Sequence, residues 1–553
     1  MQSGKNSSAK RNAAGTADAA PNSHPLWKSV LAVLAFFSLN LLLVVNLGSA
    51  NEVDVLPLAK QFADPSWMPK DWYLNQPPSY RLLFQSLFGW LIVHWGFLVA
   101  SIVGRLLCYG LVALGLVLIA RKLNLDLLLL ILAIVLFLAH QGVAAGEWLI
   151  LALEAKAVAY GLILLAIHSM LAGRFVGMAF LLGIATSFHV LVGGWAFLTA
   201  IGWLALRPKT RLKGIRRFGL ILLCYLVGSS FALPAIAQQL FSPTPSGSIA
   251  PSFVYVFLRL PHHLNPLFWS FASWIAIVLY LLILTISVAV LRRSHKLRSV
   301  HVTPKESLKF YTAQIELFQF TLISLVPFVF GLAIAPFDSE GKLLQYYPFR
   351  FGDVMLPLGT ALLFACALQT LSGKARRMLV LIWLVILSAI VPIQTVRFTQ
   401  QLLQLRQFPS VQQDASPDWK DLCTWITDHT VKDAVVLVPP ATEFANFTWM
   451  SERSTVANFK LLPQSKTGII EWYHRLDDLS GHRVLQSPNQ PAIGSWQLGE
   501  ALNTAYSGLT TSEVESLMSD YQSSYFVTGV NHLLNLPVVY RNQAYLVYTK
   551  KQK

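Results

Sequence analysis

Long apolar runs separated by short polar segments occupy most of the chain from residue 27 to residue 396. A helix needs about 20 predominantly apolar residues to cross the ~30 Å of hydrocarbon in a bilayer. Runs of this kind predict membrane-spanning helices, the first of which covers residues 27–49. The other predicted single spans are 97–120, 124–141, 157–173, 218–239, 267–291, 311–336, 352–371 and 378–396.

One apolar region, 175–206, is too long for a single span and contains a break at "TSFHVLVGG". It is predicted to form two short helices that meet at His189, Gly193 and Gly194. Two crossings here bring the predicted total to eleven, so the two ends of the chain are expected on opposite sides of the membrane.

The distribution of basic residues agrees with this topology, because cytoplasmic loops carry an excess of Lys and Arg. The segments predicted on the inside hold 22 Lys and Arg against three acidic residues. The short outer loops hold about seven basic and nine acidic residues. The amino terminus is therefore predicted to be cytoplasmic, and the long carboxyl-terminal segment 397–553 extracytoplasmic.

Composition leads to the same class of protein. Of the 553 residues, 54% are hydrophobic and 13% are charged, and the mean hydropathy is +0.53. A soluble globular protein has about 25% charged residues, so an integral membrane protein is predicted. The net charge of +16 does not indicate nucleic-acid binding, since the basic residues lie in short loops between spans. The four cysteines show neither metal-binding spacing nor a disulfide framework.

Three regions follow from these patterns. Residues 1–24 are polar and low in complexity, which predicts a disordered cytoplasmic tail. Residues 25–396 form the transmembrane domain, and 397–553 are long enough for an α/β domain with its own core. Small residues before Asn51 would suit signal-peptide cleavage, but the first apolar run is longer than a usual signal sequence, which favours an uncleaved anchor.

The carboxyl-terminal domain is predicted to mix helices and strands. The segments "DWKDLCTWITDHT", "GIIEWYHRLDDL" and "TSEVESLMSDYQ" have helical spacing, the last with the capping pattern Ser512-x-x-Glu515. The apolar runs "AVVLVPP", "SSYFVTG" and "QAYLVYTK" are typical of strands.

On the predicted topology, unusual polar residues collect on the outer face. The first outer loop, 50–96, is acidic, and Glu52 and Asp54 lie within a turn of the end of the first span. Carboxylates, histidines and arginines at one water–lipid boundary indicate a site for an anionic, lipid-linked ligand, with a divalent cation as a candidate cofactor. The other candidate site residues are Asp71, Glu147, His189, Arg259, His262, His263, Tyr347 and Arg350.

The spacing of these residues suggests roles. Glu52 and Asp54 stand at i and i+2, so one carboxylate could accept a proton while the other orients it or holds a cation. His262 and His263 are adjacent and would aim differently, as one ligand and one structural contact. For each outer-loop acid the simpler alternative is a solvated charge.

Two arginines stand out against their apolar surroundings. Arg350 in "YYPFRFGD" lies between aromatic residues at a span entrance, where a guanidinium can fork onto a phosphate or simply snorkel to the interface. Arg105 lies about two turns inside the second span. An unpaired charge there is costly, so Arg105 is predicted to have a carboxylate or a lipid phosphate nearby.

With these features the chain resembles the GT-C superfamily of membrane glycosyltransferases. Glu52-Val53-Asp54 occupies the place of that family's acidic pair after the first span, and 81–95 resembles its interfacial helix. "WITDHTVKDAVVLVPP" is similar to the start of the family's soluble domain, with Val431 in place of the usual proline. "ADPSWMPKDWYLNQPP" and "YPFRFGD" also resemble segments of bacterial multi-pass proteins of unassigned function. The oligosaccharyltransferase run "WWDYG" is absent, so that activity is not expected.

The resemblance implies sugar transfer from a polyprenyl-phosphate donor to a glycan, lipid or protein acceptor outside the cytoplasm, in a bacterial inner or plasma membrane. Asp54 or Glu52 would be the base of an inverting displacement, and Arg350, with Arg259 or His263, would neutralise the carrier phosphate. Mg²⁺ or Mn²⁺ is a candidate cofactor, with Glu52, Asp54 and His263 as its candidate ligands. The residues expected to bind substrate are His262, Tyr347, Asp71, Glu147 and His189.

Two other functions are consistent with the sequence. The broken helices in 175–206 are also typical of a transporter or flippase for a lipid-linked or anionic solute, although no internal repeat is detectable. The third alternative is a non-catalytic assembly protein whose carboxyl-terminal domain binds a partner. It predicts that the acidic loop tolerates substitution.

Overall fold

The structure is a computed structural model of the chain. It describes residues 24–77, 81–206, 215–243, 249–298, 304–371, 415–485 and 494–550, with a few positions between 373 and 381. The predicted disordered tail and the predicted span 378–396 lie almost entirely outside the described residues, so both stay predictions.

The amino-terminal two thirds of the chain is helical, and its apolar helices make the chain an integral membrane protein. Four described helices are long and apolar enough to cross a bilayer, and a bent pair would add a fifth. The eleven predicted crossings are not reached on this criterion, because several helices at predicted spans have fewer than 18 residues. The long helices are Leu82–Leu123, Phe271–Lys296, Leu308–Ile334 and Arg350–Thr370.

In chain order we number the helices of this part as follows. They are α1 Leu26–Val44, α2 Glu52–Ala63, α3 Leu82–Leu123, α4 Leu127–Ala139, α5 Ala155–Leu171, α6 Phe175–Phe188, α7 Val190–Ala205, α8 Ile215–Gly228, α9 Leu233–Phe241, α10 Pro251–Phe253, α11 Pro261–Leu264, α12 Phe271–Arg298, α13 Pro304–Ser324, α14 Val326–Ile334 and α15 Arg350–Thr370. A π-helical turn, Val254–Arg259, and 3₁₀ turns at Pro266–Phe268 and Leu344–Tyr346 complete this part.

The predicted break at His189 is confirmed, because α6 ends and α7 begins on either side of it. Gly193 permits the close packing of the two helices, since a Cβ there would lie 2.3 Å from the backbone nitrogen of Thr186. A second break lies at Gly96, whose φ of 76° bends α3 between residues 81–95 and the rest of the helix. The short helix predicted for 81–95 is therefore present.

The predicted single span 218–239 is instead a bent pair. Its two helices, α8 and α9, meet at an angle of 89°. Helix α8 ends at Gly228, which lies close to the backbone of Phe180. A Cβ on Gly228 would lie only 2.6 Å from the carbonyl oxygen of Phe180. Pro234 lies in the first turn of α9, where a missing N–H costs least.

The carboxyl-terminal region contains a small mixed sheet with helices, as the sequence predicts. The capping pair of its last helix is Thr510 and Glu513 rather than Ser512 and Glu515, so that helix begins two residues earlier than predicted. The helices are α16 Pro417–His429, α17 Phe447–Ser451, α18 Lys466–Leu479, α19 Ser495–Tyr506 and α20 Thr511–Asp520, with a 3₁₀ turn at Thr442–Phe444. The strands are β1 Val435–Leu437, β2 Ser454–Thr455, β3 Tyr525–Gly529, β4 Val538–Arg541 and β5 Tyr545–Thr549.

The five strands lie in the order β2-β1-β3-β5-β4. Strand β1 pairs in parallel with β2 and β3, through Val435 with Ser454 and Val436 with Tyr525. Strand β5 runs antiparallel to β3 and β4, so the late β4–β5 ribbon extends one side of the sheet. Parallel pairs need crossovers, and the segments between β1, β2 and β3 contain α17 to α20.

The carboxyl-terminal region packs directly on the segment that follows α1. Trp449 stacks on Phe97 with ring centroids 4.4 Å apart. Lys60 pairs with Glu452 at 2.8 Å, and Asp71 accepts a hydrogen bond from the backbone of β2. These contacts fix one wall of the cleft described below.

Candidate active site

A polar cleft of about 220 Å³ opens where the carboxyl-terminal region meets the helices and loops of the membrane part. We call it the polar cleft. Seven of the ten candidate site residues line it, although they come from four separate parts of the chain. These seven are Asp54, His189, Arg259, His262, His263, Tyr347 and Arg350. Its other ionisable lining residues are Arg81, Glu154, Lys156 and Lys460.

Asp54 is the candidate base that reaches the polar cleft. It lies in the first turn of α2, whose amino terminus favours a negative charge. The hydroxyl of Tyr73 donates to its Oδ1, and Arg81 Nη1 donates to its Oδ2 at 2.8 Å. An ionised carboxylate has about four lone pairs, so Asp54 retains capacity to accept a further hydrogen bond from a ligand.

Glu52 is fully buried and faces away from the polar cleft. The guanidinium of Arg105 donates to both of its oxygens, from Nε at 2.7 Å and from Nη2 at 2.6 Å. Ser101 and the amide of Leu153 also donate to it. The predicted partner of Arg105 is therefore a carboxylate. A catalytic role does not fit Glu52, because its lone pairs accept hydrogen bonds from the protein and its side chain is fully buried.

Glu147 lies behind the polar cleft and joins two of its cations. Its oxygens lie 2.7 Å from Lys156 Nζ and 2.7 Å from Arg350 Nε. Burial alone would raise the pKa of Glu147, but Arg350 and Lys156 together hold it below its ordinary value. Glu147 is thus an ionised positioning residue rather than a residue that lines the cleft.

Arg350 begins α15 and is held on three sides. Besides its ion pair with Glu147, its guanidinium lies 3.7 Å from the centroid of the Tyr347 ring. Its Nη1 donates to Nε2 of His189 at 3.2 Å. A guanidinium fixed in this way is pre-organised to donate to an anion.

The adjacent histidines aim in different directions, as predicted. His262 Nδ1 lies 2.8 Å from the hydroxyl of Ser495 in the carboxyl-terminal region. His263 Nδ1 donates to the carbonyl oxygen of Ala145. Burial lowers the pKa of His262 to about 4 and that of His263 well below its usual value, so both imidazoles are neutral at pH 7.

The candidate metal ligands do not form a metal site. Within the described part of the chain, no three His, Cys, Asp or Glu side chains are arranged to hold a metal ion. Glu52 in particular cannot join Asp54 and His263, because Arg105 and three further donors occupy its oxygens. The predicted divalent cation therefore stays a prediction from the sequence.

Asp71 connects the two parts of the molecule instead of lining the cleft. It is buried, and burial raises its pKa to about 6. Its Oδ1 accepts from the amide of Leu74 at 2.9 Å, and its Oδ2 accepts from the amide of Thr455 in β2 at 3.1 Å. Asp71 is therefore a docking residue between the first outer loop and the sheet.

We expect Asp71→Ala to weaken this docking, because each buried amide left without an acceptor costs about 1–3 kcal/mol. The measurement is thermal unfolding of the purified protein, together with the rate of proteolysis of the carboxyl-terminal region. The control is Asp433→Asn, which removes an exposed ion pair with Lys70 across the same contact. Exposed pairs contribute about 0–1 kcal/mol, so equal effects of the two variants would contradict this role for Asp71.

The resemblance implies that the carboxyl-terminal domain covers the site, but the individual residues that it contributes to the cleft were not predicted from the sequence. Trp496 lines the polar cleft although 68% of its surface is exposed, and Lys460 donates from Nζ to the carbonyl oxygen of Ala50. No motif distinguishes either residue from others in the same region. Their position follows from packing between segments some 400 residues apart in sequence, as in the contact between Lys460 and Ala50.

A second, mainly apolar cavity of about 430 Å³ adjoins the polar cleft, and we call it the apolar groove. Residues of α9, such as Ile236 and Leu240, form part of it. Four residues line both cavities, so the two lie side by side. These are His189, Tyr255, Arg350 and Gln464.

Comparison with known proteins gives limited matches. A family model described as a domain of unknown function, DUF6798, matches residues 417–479. No curated protein matches the sequence. Among solved structures, the archaeal oligosaccharyltransferase AglB from Archaeoglobus fulgidus, in complex with an inhibitory peptide and a dolichol-phosphate, has a TM-score of 0.41 at 12% identity, covering 91% of this chain and 69% of that chain. ArnT from Cupriavidus metallidurans, bound to undecaprenyl phosphate, has a TM-score of 0.38 at 15% identity, covering 94% of this chain and 97% of that chain. At these TM-scores we draw no functional conclusion from either likeness.

Proposed function

We propose that this protein is a membrane glycosyltransferase that moves a sugar from a polyprenyl-phosphate donor to an acceptor on the non-cytoplasmic face. The observation that carries the proposal is that Arg350 lines both the polar cleft and the adjacent apolar groove. An isoprenoid chain fits an apolar groove, and its phosphate fits a fixed guanidinium beside it.

The charge of the polar cleft supports an anionic donor. Its described lining residues include five cationic side chains and two carboxylates. Burial lowers the pKa of His262 and His263, so at neutral pH these imidazoles are uncharged and can only donate or accept hydrogen bonds. A cation-rich cleft lowers the free energy of a developing phosphate anion, which is usually the largest catalytic effect in such transfers.

In the proposed reaction Asp54 accepts the proton of an acceptor hydroxyl. The hydroxyl oxygen forms a bond to the anomeric carbon while the bond from that carbon to the carrier phosphate breaks. The electron pair of the broken bond stays on the polyprenyl phosphate, which Arg350 stabilises, and the anomeric centre inverts. One base is sufficient, because a phosphate leaves without protonation.

The proposal includes the predicted topology, with the polar cleft and the carboxyl-terminal region outside the cytoplasm. The excess of basic residues in the predicted inner segments supports it. Labelling of single introduced cysteines from either side of the membrane tests it, and residues 54 and 350 must react from the same side.

We expect Arg350→Gln to reduce donor consumption by about 10²-fold or more, as for loss of a preorganised donor to a transition-state anion. The assay incubates the full-length protein in lipid nanodiscs with a panel of polyprenyl-phosphate sugars and measures release of polyprenyl phosphate. Arg350→Lys keeps the positive charge but lacks the paired hydrogen-bond donors of the guanidinium, so it should recover only part of the activity.

The matched control for this experiment is Arg121→Gln, which removes an exposed arginine whose Nη2 donates to the carbonyl oxygen of His24. Equal rates for Arg350→Gln and the unchanged protein would contradict the proposed phosphate site. If no donor in the panel is consumed by the unchanged protein, the proposed reaction class fails.

A transporter or flippase for a lipid-linked or anionic solute is the second candidate. It is favoured by the two broken helix pairs, α6–α7 at His189 and α8–α9 with its 89° bend, since discontinuous helices frequently mark transport sites. Movement of a polyprenyl-phosphate sugar across proteoliposomes without release of the sugar would support this candidate over the transferase.

A further inference from the structure

Arg259 lines the polar cleft, and its guanidinium is incompletely paired. Nη2 donates to the carbonyl oxygen of Lys460 at 3.2 Å, and the guanidinium lies 5.3 Å from the centroid of the Phe459 ring. Nε is shielded from solvent and has no hydrogen-bond partner. No carboxylate of the described ranges forms an ion pair with it. Arg259 is half-buried, and a shielded guanidinium nitrogen without an acceptor is costly, so this arrangement indicates an anionic ligand.

The other two arginines that line the polar cleft have carboxylate partners. Arg81 donates to Asp54 at 2.8 Å, and Arg350 Nε lies 2.7 Å from Glu147. Asp54 also acts electrostatically on Arg259, but Arg81 and a tyrosine hydroxyl already bond to its oxygens. Arg259 therefore differs from both neighbours in having no carboxylate ion pair among the described residues.

Arg259 and Arg350 lie at different places in the polar cleft, so each could bind a different ligand. Arg350 lines both the polar cleft and the apolar groove, where a lipid carrier would place its phosphate. Arg259 lines the polar cleft alone and lies against Phe459 and Lys460 of the carboxyl-terminal region. It is thus on the side from which a second substrate would enter beside Trp496.

The backbone around Arg259 also has an uncommon form. It ends the π-helical turn Val254–Arg259, a conformation that is frequent at functional sites. Gly341, with a φ of 70°, packs closely on this turn, since a Cβ there would lie 2.8 Å from Val256. The turn is therefore held firmly, which keeps the guanidinium of Arg259 at the wall of the cleft.

We infer that Arg259 is the centre of a second anion subsite and that the acceptor of the proposed transfer carries a phosphate or carboxylate group bound there. The inference rests on the proposed function and adds the chemical class of the acceptor. The Nε and Nη groups of Arg259 donate to the acceptor anion while Arg350 holds the carrier phosphate, so both anions occupy the cleft together.

The test measures binding of glycerol 3-phosphate, a water-soluble phosphate monoester, to the full-length protein in nanodiscs with and without a polyprenyl phosphate. We expect glycerol 3-phosphate to bind in both cases. Arg259→Gln should weaken that binding about tenfold or more, as expected for loss of charged hydrogen bonds, and should leave polyprenyl-phosphate binding unchanged. Arg350→Gln should weaken the binding of the polyprenyl phosphate and leave the binding of glycerol 3-phosphate unchanged.

Two controls accompany these variants. Arg541→Gln removes an exposed arginine on the edge strand β4 and should change neither affinity. Arg259→Lys keeps the positive charge without the fork and should bind glycerol 3-phosphate with intermediate affinity, which also serves if Arg259→Gln does not fold.

Displacement of glycerol 3-phosphate by the polyprenyl phosphate would mean a single anion site and would overturn the inference while leaving the proposed function intact. Arg259→Gln could instead weaken the binding of a polyprenyl pyrophosphate and leave the binding of the polyprenyl monophosphate unchanged. That result would assign Arg259 to the second phosphate of a donor and would also overturn the inference. Failure of the unchanged protein to bind any polyprenyl phosphate would instead contradict the proposed function.

Discussion

Asp54→Asn is expected to reduce sugar transfer by about 10²–10⁴-fold, the usual contribution of a general base. Asparagine has nearly the same shape, and its single amide oxygen can accept the hydrogen bond from Arg81 while its NH2 group donates to the hydroxyl of Tyr73, two residues that contact Asp54 in the structure. It cannot accept the proton of the acceptor hydroxyl at neutral pH. The loss should therefore fall on the rate of transfer, with little change in thermal stability or in donor binding.

The measurement is the initial rate of transfer by purified protein in nanodiscs, with the thermal unfolding midpoint recorded for each variant. Glu340→Gln is a suitable control, because Glu340 is an exposed carboxylate in another predicted outer loop and pairs only with the exposed Lys342 among the residues that the structure describes. Transfer at the unchanged rate in Asp54→Asn would remove Asp54 from the mechanism.

The second large effect is expected on stability. Glu52→Ala should lower the free energy of unfolding by about 3–5 kcal/mol, because it leaves the buried guanidinium of Arg105 without its partner. Both members of this pair are fully buried, and their two hydrogen bonds are 2.6 and 2.7 Å long. Thermal denaturation in detergent and the yield of folded protein measure the loss.

The double variant Glu52→Leu/Arg105→Met serves as the control for this prediction. Replacing both charges by apolar side chains of similar size removes the unpaired charge, so much of the lost stability should return. The double variant should also retain sugar transfer if Glu52 has only a structural role. A variant of Glu52 that folds with unchanged stability yet transfers no sugar would restore Glu52 as a catalytic candidate.

Glu52 and Asp54 show why sequence spacing alone did not separate these roles. The sequence places both in an acidic outer segment, and it predicts that Arg105 needs a partner. In the structure this segment is the helix α2, where residues at i and i+2 point to different sides. Only one of the two can face the cleft, and the position of α3, which carries Arg105, decides that it is Asp54.

Features that depend on local chemistry were predictable from the sequence. The apolar runs predict membrane helices because backbone groups in lipid must bond within the helix. The length of the apolar region 175–206 and its interruption at "TSFHVLVGG" predict the break at His189, whereas the short helix 81–95 was implied only by the family resemblance. The periodicity of the carboxyl-terminal segment predicts its helices and strands, since alternation and helical spacing are set by backbone geometry.

Only the tertiary structure decided which distant residues meet. The wall formed by Phe459, Lys460 and Trp496, the incompletely paired guanidinium of Arg259 and the apolar groove beside Arg350 all depend on how the carboxyl-terminal region docks on α2. Such contacts join segments hundreds of residues apart, and no local pattern encodes them. The sequence by itself determined a membrane protein with polar groups clustered between its apolar segments, whereas packing between remote segments determined which of those polar groups line one cleft and which are buried in ion pairs inside the fold.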